Sequence, residues 1–399
     1  MKVNSKCRIL MASYYALNCV TLSYVTYYLE SLGLSDLFIS LVVGSACGIA
    51  GLLQVPAGRI ADRNIRWNWK KLLILFGICE LALATSAVFI HQTGWQWFAY
   101  GLMIIFMMLM MPMVNQASFY YTSRGIPVNF GVARGIGSAV FAVSSFLIGK
   151  LAAMLGSNCI PAISTVLSAL FLASVLLMPE ISAPAGTESE GSSHEDTGKG
   201  KSMQLTDFLK KYPVFISMAA GLSLLLIFHN MLNTFFIRLI ESVGGDSRSL
   251  GISLAIAAIA ELPVLFLYSR ISRNGKRSSG LLLPVSCGFY VIRGILYLFA
   301  ANVVMIYLIQ LLQSVSFGMM VAAKATYADE CMAPENKTTG QALMTFTDAF
   351  GAVAGTILGG LLMNQGGIRF LLLAGVFFAL AGTVVTLSAA LRDRKALRG

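Results

Sequence analysis

Apolar residues in this chain come in long unbroken runs, not at the alternating spacing of a strand. Twelve such runs stand out. The first six cover 9–29, 37–57, 72–90, 97–118, 135–155 and 160–178; the next six cover 214–239, 250–268, 280–300, 303–323, 340–363 and 370–391. Crossing a hydrocarbon core of about 30 Å takes about 20 apolar residues in a helix. Lipid offers no partner to a backbone N–H or C=O, so runs of this length predict helices that satisfy their own hydrogen bonds. Most polar breaks between runs are short. The exception is 180–211, rich in Ser, Gly, Thr, Glu, Asp and Lys with few large apolar residues before Phe208. Its composition predicts a solvated linker, disordered over 183–201. The expected organisation is a six-helix bundle over 1–180, a cytoplasmic linker over 181–211 and a second six-helix bundle over 212–399.

Composition supports this pattern. Charged residues make up 12% of the chain and hydrophobic ones 57%, against about 25% charged in soluble domains. The formal net charge of +11 does not point to nucleic acid, because the bases sit in short loops between apolar runs. Lys2, Lys6, Arg8, Arg59, Arg63, Arg66, Lys70, Lys71, Arg124 and Lys199 fall on one side. The linker's Lys201, Lys210 and Lys211, the loop at Arg270–Arg277, Lys337 and the tail bases join them. The opposite side has Lys150, Arg238, Arg248 and Arg369. That asymmetry predicts both termini in the cytoplasm, which an even number of spans requires. The first run is too long for a signal-peptide core and is read as a retained span. The seven cysteines are scattered, form no CxxC and fall mostly inside apolar runs, so no disulfide or metal framework is expected. No phosphate-binding G-x-x-x-x-G-K-[ST] loop is present, which excludes an ATP-driven machine and leaves a gradient as energy source.

The halves echo each other at offsets of about 210 residues. Gly58-Arg-Ile-Ala-Asp62-Arg63 follows the second run, and Ser269-Arg-Ile-Ser-Arg273 follows the eighth. Gly131 opens the fifth run and Gly340 the eleventh, with Gly149 and Gly359 near their far ends. Parallel six-span repeats with a solute site between them are a known transporter architecture.

The Gly58–Arg63 segment resembles the loop between spans two and three of the major facilitator superfamily, G-x-L-A-D-R-x-G-R-K. The second glycine of that pattern is absent here, with Ile65 or Arg66 in its place. By that resemblance Gly58, Asp62 and Arg63 form a conformational latch, with Gly58 allowing close approach of a neighbouring helix. A second stretch, Gly131-Val-Ala-Arg134-Gly-Ile-Gly137-Ser138-Ala-Val-Phe141, resembles the fifth span of one branch of that superfamily. The branch contains lactose permease, the nucleoside–proton symporters and the phenylpropionate permease. The resemblance implies that Arg134 hydrogen-bonds solute and that Phe141 stacks on it. From the residues alone, Arg134 and Ser138 share a helical face with Phe141 one turn on, and an arginine offers a planar fork to hydroxyls or carboxylates. The bland alternative is a snorkelling anchor at the helix end.

The eighth run carries Glu261 and the ninth carries Arg293. A charge at the bilayer centre costs about 2.5–3.5 kcal/mol on insertion scales, so such residues are expected to face a cavity and to serve function. A structural ion pair is the alternative. Both positions match the symporter branch, which implies a solute ligand at Glu261 and a role in proton coupling for Arg293. The branch's coupling histidine is replaced by Gln313, the acid one turn later by Ser316, and the acid of the fourth span corresponds to about Gln116. Glutamine cannot titrate, so coupling must run differently here, with Glu261 as first candidate and Asp348 of the eleventh run as second. Asp348 pairing with Arg293 or Lys324 remains the structural alternative. Tyr14 and Asn18 in the first span and Asn230 in the seventh complete the expected solute contacts, with Gln313. The Met103–Met113 cluster is read as packing material.

The expectation is therefore an all-α membrane protein of twelve transmembrane helices in two pseudo-symmetric six-helix bundles, the major facilitator fold. Its expected function is secondary active transport of a small polar organic solute of the sugar, nucleoside or aromatic-acid class, coupled to protons. It would sit in the cytoplasmic membrane as a monomer, with neither cofactor nor metal and no enzymatic activity. The alternatives are an efflux carrier of lipophilic compounds on the same fold, or a receptor-like homologue that binds without moving solute.

Overall fold

A computed structural model of the chain describes residues 2–63, 68–179, 208, 210–271, 279–333 and 336–398. Among them there is helix and no strand. The first half contains α1 (Val3–Asn18), a π turn at Cys19–Ser23, α2 (Val25–Ser31), α3 (Asp36–Arg63), α4 (Trp69–Phe89), α5 (Thr93–Thr122), α6 (Phe130–Leu155) and α7 (Cys159–Leu176). The second half contains α8 (Pro213–Thr234), α9 (Phe236–Ser242), α10 (Ser247–Ile271), α11 (Ser279–Leu298) and α12 (Val303–Gln310). A second π turn at Ser314–Gly318 leads into α13 (Met319–Cys331), and α14 (Lys337–Arg398) ends the chain. The proposed linker lies outside the described residues apart from Phe208, Lys210 and Lys211.

Among the described residues, ten helices are long and apolar enough to cross a membrane, or eleven with the bent α1–α2 pair counted as one. Helix α14 is interrupted at Gly367, which takes φ 66°. At about 1.5 Å per residue its apolar stretch exceeds two hydrocarbon thicknesses, and the count of twelve rests on reading its two arms as separate crossings. Three helices start on an asparagine cap. The side chains of Asn68, Asn129 and Asn302 each accept a backbone N–H three residues on, at 3.0 Å, satisfying a donor that has no partner inside the helix.

Three spans break where the apolar pattern predicts none. The first does so at its π turn, where the axis bends by 45°. The seventh breaks at Phe235, between α8 and α9. There the N–H of Arg238 bonds the carbonyl of Phe235, and the hydroxyl of Thr26 takes the Thr234 carbonyl instead. The tenth breaks between α12 and its π turn. Conversely, α3 runs on to Arg63, so the Gly58–Arg63 motif occupies a helix end, not a loop. Nothing after Gly58 in that motif stops a helix, since Ile60 and Ala61 continue the turn.

Within the first half, α4 packs between α5 and α7, α3 lies on α5, and α1 touches α5, α6 and α7. In the second half α8 lies along α14, and α11 contacts α13 and α14. The halves meet through α6 against α10 and α3 against α14. The first of these contacts is close enough to require glycine. A Cβ at Gly149 would sit 2.6 Å from the Ser247 carbonyl and 2.9 Å from the Gly251 Cα. Tyr24 seals the junction, donating its hydroxyl to the Ser145 carbonyl at 2.6 Å. Arg238 adds charge there: it donates to Asp36 Oδ1 at 2.8 and 3.1 Å and to Glu30, with Glu241 at 3.5 Å. These cross-half contacts all lie on the face away from the termini. Near the terminal face, a Cβ on Gly58 would meet nothing within 4 Å. The close approach expected at Gly58 is therefore not made among the described residues. The side chains of Asp62 and Arg63 lie outside the described residues.

Candidate central solute site

Between the halves lies a cavity of about 430 Å³. The first half contributes Tyr14, Asn18, Arg134, Ser138 and Phe141 to its wall; the second contributes Asn230, Glu261, Arg293 and Gln313. Nine residues singled out from the sequence thus converge on one space from six helical elements. Asp348 does not join them: it lies half-exposed elsewhere and forms an ion pair with Lys324.

Glu261 and Arg293 are linked through Gln313. The Gln313 amide donates to Glu261 Oε1 at 3.0 Å, and its carbonyl accepts from Arg293 Nη1. The guanidinium, 4% exposed, also donates to Ser316 Oγ at 3.0 Å, Tyr297 Oη at 3.1 Å and Gln310 Oε1 at 3.0 Å. Its charge is thus spread over neutral acceptors, and only the relay amide connects it to the acid. This arrangement differs from a direct ion pair. Glu261 retains its second oxygen for a ligand, and any change at Gln313 is felt at both charges.

On the opposite wall, the Arg134 guanidinium lies over the Tyr15 ring with 4.7 Å to the centroid. The glycine pattern of α6 explains the fit. A Cβ at Gly137 would come within 2.5 Å of the Tyr15 ring, so only glycine lets that ring lie flat across the helix beneath the arginine. Stacking fixes the guanidinium plane, and its N–H fork stays available to the cavity. Tyr14 behaves differently from expectation. It is buried, and its hydroxyl donates to the Met107 carbonyl at 3.1 Å. Asn18 donates to Met107 Sδ at 3.1 Å, which leaves its amide oxygen as acceptor. The methionine cluster therefore does more than fill space at Met107, which anchors two cavity residues.

Asn230 donates to the Leu226 carbonyl one turn back at 2.8 Å. Its neighbours His229 and Asn233 form a chain. Asn233 Nδ2 donates to His229 Nε2 at 2.9 Å, so Nδ1 carries the ring proton and donates to Tyr290 Oη at 3.0 Å. The imidazole also stacks on Phe317 at 4.4 Å.

Comparison with known proteins fits this architecture. The MFS_1 like family matches residues 7–374. The chain belongs to the MFS_1 like family. Its resemblance to the major facilitator superfamily is thereby borne out, and the protein is a multi-pass membrane transporter, not an enzyme. No curated relative matches at the level of sequence. Among solved structures, this MFS_1 like chain is similar to the nucleoside transporter NupG, with TM-score 0.76 and 18% identity over 98% of each chain. It is also similar to a bacterial homologue of the human lysosomal transporter Spinster in an inward-facing, unoccupied conformation. That match has TM-score 0.70 and 13% identity, over 97% of this chain and 96% of that one. A POT family transporter in complex with 5-aminolevulinic acid gives TM-score 0.72 and 12% identity, over 98% and 96%. At these identities the likeness establishes the fold.

Several residues of this site are not conspicuous in the sequence. Tyr15 is one of five tyrosines in the first span, and nothing in spacing separates it from Tyr14. Its signal is indirect, in Gly137 on the helix packed against it, α6. Gln310 and Tyr297 read as ordinary residues near span ends. Only their shared bonds to Arg293 reveal them.

Proposed function

We propose that this protein carries a small polar organic solute, of the sugar, nucleoside or aromatic-acid class, across the cytoplasmic membrane, with both termini in the cytoplasm. The observation that supports the reading is the composition of the central cavity. A cationic fork laid over an aromatic ring in the first half faces an acid and an amide from the second, and Phe141 adds an apolar face to the same cavity. Such a solute would place hydroxyls or a carboxylate on Arg134 and Ser138 and a donor on Glu261, and bury one flat surface on Phe141. Its binding energy would then draw the two halves together, since neither alone supplies all the partners. The two bundles, 1–180 and 212–399, would rock about the site with the latch of Gly58, Asp62 and Arg63 at the cytoplasmic face. The face sealed by Gly149, Gly251 and Arg238 would be external, making the present arrangement one that opens inward.

Coupling to protons is assigned to Glu261. In the empty carrier the acid accepts from one neutral amide, that of Gln313, and faces the cavity, where a solute can reach its second oxygen. A solute donor or a nearer guanidinium would favour the ionised form. Arg293 modulates this through Gln313, and Asp348, paired with Lys324, is the second candidate. The test is transport in proteoliposomes, using a panel of sugars, nucleosides and aromatic acids with and without an imposed proton gradient. Glu261→Gln should retain counterflow, which needs no net proton movement, and lose uphill accumulation. Accumulation that survives in this variant sinks the assignment to Glu261, and the absence of flux for every panel member sinks the solute class.

A further inference from the structure

Behind the solute cavity, inside the first half, sits an acid that the mechanism above does not use. Glu80 lies midway along α4 and is fully buried. Neither carboxyl oxygen has a hydrogen-bond partner, and no basic side chain acts on it among the described residues. Thr21 presents its hydroxyl to the carboxyl without reaching hydrogen-bond geometry, and that hydroxyl too is buried and unpartnered. The neighbouring helix α7 adds to the set. Gly77, nearly one turn before Glu80, packs on Phe171 and Leu172. The antiparallel course of α4 and α7 then places Ser168 at the depth of Glu80, and the Ser168 hydroxyl is likewise buried without a partner. The titratable groups around the carboxyl are tyrosines, Tyr14 from α1 and Tyr100 from α5, with Cys19 beside Tyr100. The Tyr14 and Tyr100 hydroxyls are already committed, to the carbonyls of Met107 and Val20.

Buried polar atoms nearly always find partners, and an unpaired group calls for an explanation such as a bound ion. An isolated carboxylate in an apolar interior is far too costly to persist uncompensated. With no basic side chain beside it, a carboxylate held here needs a small cation to balance its charge. We propose that Glu80, with Thr21, binds a single monovalent cation, a proton or a sodium ion, at a site separate from Glu261. The divalent and transition metals are a poor match, since no cluster of three His, Cys, Asp or Glu side chains exists among the described residues.

The site has a physical route to the solute. Thr21 belongs to the π turn at Cys19–Ser23. Leu22 and Ser23 on that same turn, and Asn18 just before it, line the solute cavity. π turns concentrate at functional positions because the extra residue makes the turn easy to rearrange. A solute drawn onto Asn18 and Ser23 would shift the turn and move Thr21 against Glu80. Cation and solute would then share one mobile element, approached from opposite sides.

The test needs no knowledge of the solute. Infrared difference spectra of the protein in lipid vesicles, taken across a pH titration, detect carboxyl groups that change protonation. Thermal unfolding in sodium chloride against choline chloride detects sodium binding, as a melting temperature that climbs with the logarithm of sodium concentration. If the cation is a proton, the difference spectra carry a buried carboxyl band that Glu80→Gln removes and Glu261→Gln leaves. If it is sodium, the sodium-dependent stabilisation disappears in Glu80→Gln and persists in Glu261→Gln. Thr21→Val keeps the acid in place and guards against loss of fold in the first variant; it should shift the band or weaken the sodium effect. The proposal is overturned if the carboxyl bands and the sodium response of Glu80→Gln and Thr21→Val both match those of the unaltered protein.

Discussion

At the scale of single residues, the recognition face of α6 depends on an atom that is missing. Gly137 is where Tyr15 rests, and Tyr15 is what Arg134 rests on. Adding a methyl group in Gly137→Ala forces the ring to move, an overpacking change that costs typically about 1–3 kcal/mol. The expected outcome is a lower melting temperature and weaker solute binding from one substitution, because the same displacement uncouples the guanidinium from its support. Arg134→Lys separates the two effects. Lysine keeps the charge but loses the planar fork and the stacked geometry. Stacked cations are worth about 0.5–2 kcal/mol, so affinity for a transported solute should fall by up to about thirtyfold while the melting temperature stays within a degree or two of the original. Binding titration and thermal unfolding on the two variants check this directly. A Gly137→Ala protein with unchanged affinity would show that Tyr15 merely packs.

At the scale of elements, the breaks in the spans matter as much as the spans. The sealed face is held by Arg238, which sits on α9 because the seventh span breaks at Phe235. An unbroken helix would carry Arg238 in a different direction, away from Glu30 and Asp36. These pairs are partly exposed, with side-chain exposures of 18–37%, and exposed pairs contribute only about 0–1 kcal/mol each. Together they are sufficient to bias a carrier poised between two states. Arg238→Gln should move the population toward the form open on this face by about threefold to tenfold. Spin labels at Ser35 and Asn364, both exposed on that side, placed in a background without the seven native cysteines, would report a second, longer distance. An unchanged distance distribution would show that the glycine contacts alone hold the face shut. The elements also show what was legible in the sequence. Run length and apolarity alone locate the spans, because lipid imposes one rule on every residue in them. Glu261 and Arg293 stand out for the same reason: charge is conspicuous against such a background. The breaks were not legible, since Tyr24, Phe235 and Leu311 include neither Pro nor Gly. They depend on tertiary partners such as Thr26, which takes the carbonyl that the break frees. The role of Gln313 was half legible. Its place where the symporter branch has a coupling histidine was read from the sequence, whereas its use as a relay needed the geometry of its amide nitrogen and oxygen.

At the scale of the whole molecule, a carrier of this build works only if each face can be closed and then released. On the sealed face the helices touch with no room for a side chain at their glycines: a Cβ at Gly251 would fall 2.3 Å from the Ser145 carbonyl, and one at Gly360 only 1.9 Å from Ser40 Oγ. Neither neighbour can yield cheaply, since the first is main chain and the second is itself buried on α3. Leucine at both positions, Gly251→Leu with Gly360→Leu, therefore makes the present closure impossible without distorting either helix, both of which lie within well-packed halves. The strain is absent once the halves part on this side, so the substitutions penalise one conformation and spare the other. The double variant should fold, bind solute from the face now sealed, and fail to transport, because a cycle cannot pass through a state it can no longer form. The distance between spin labels at Ser35 and Asn364 should lengthen, and solute binding should persist within about tenfold. Retained transport would mean that the halves close without approaching at these glycines, and the rocking motion inferred from their contacts would have to be given up.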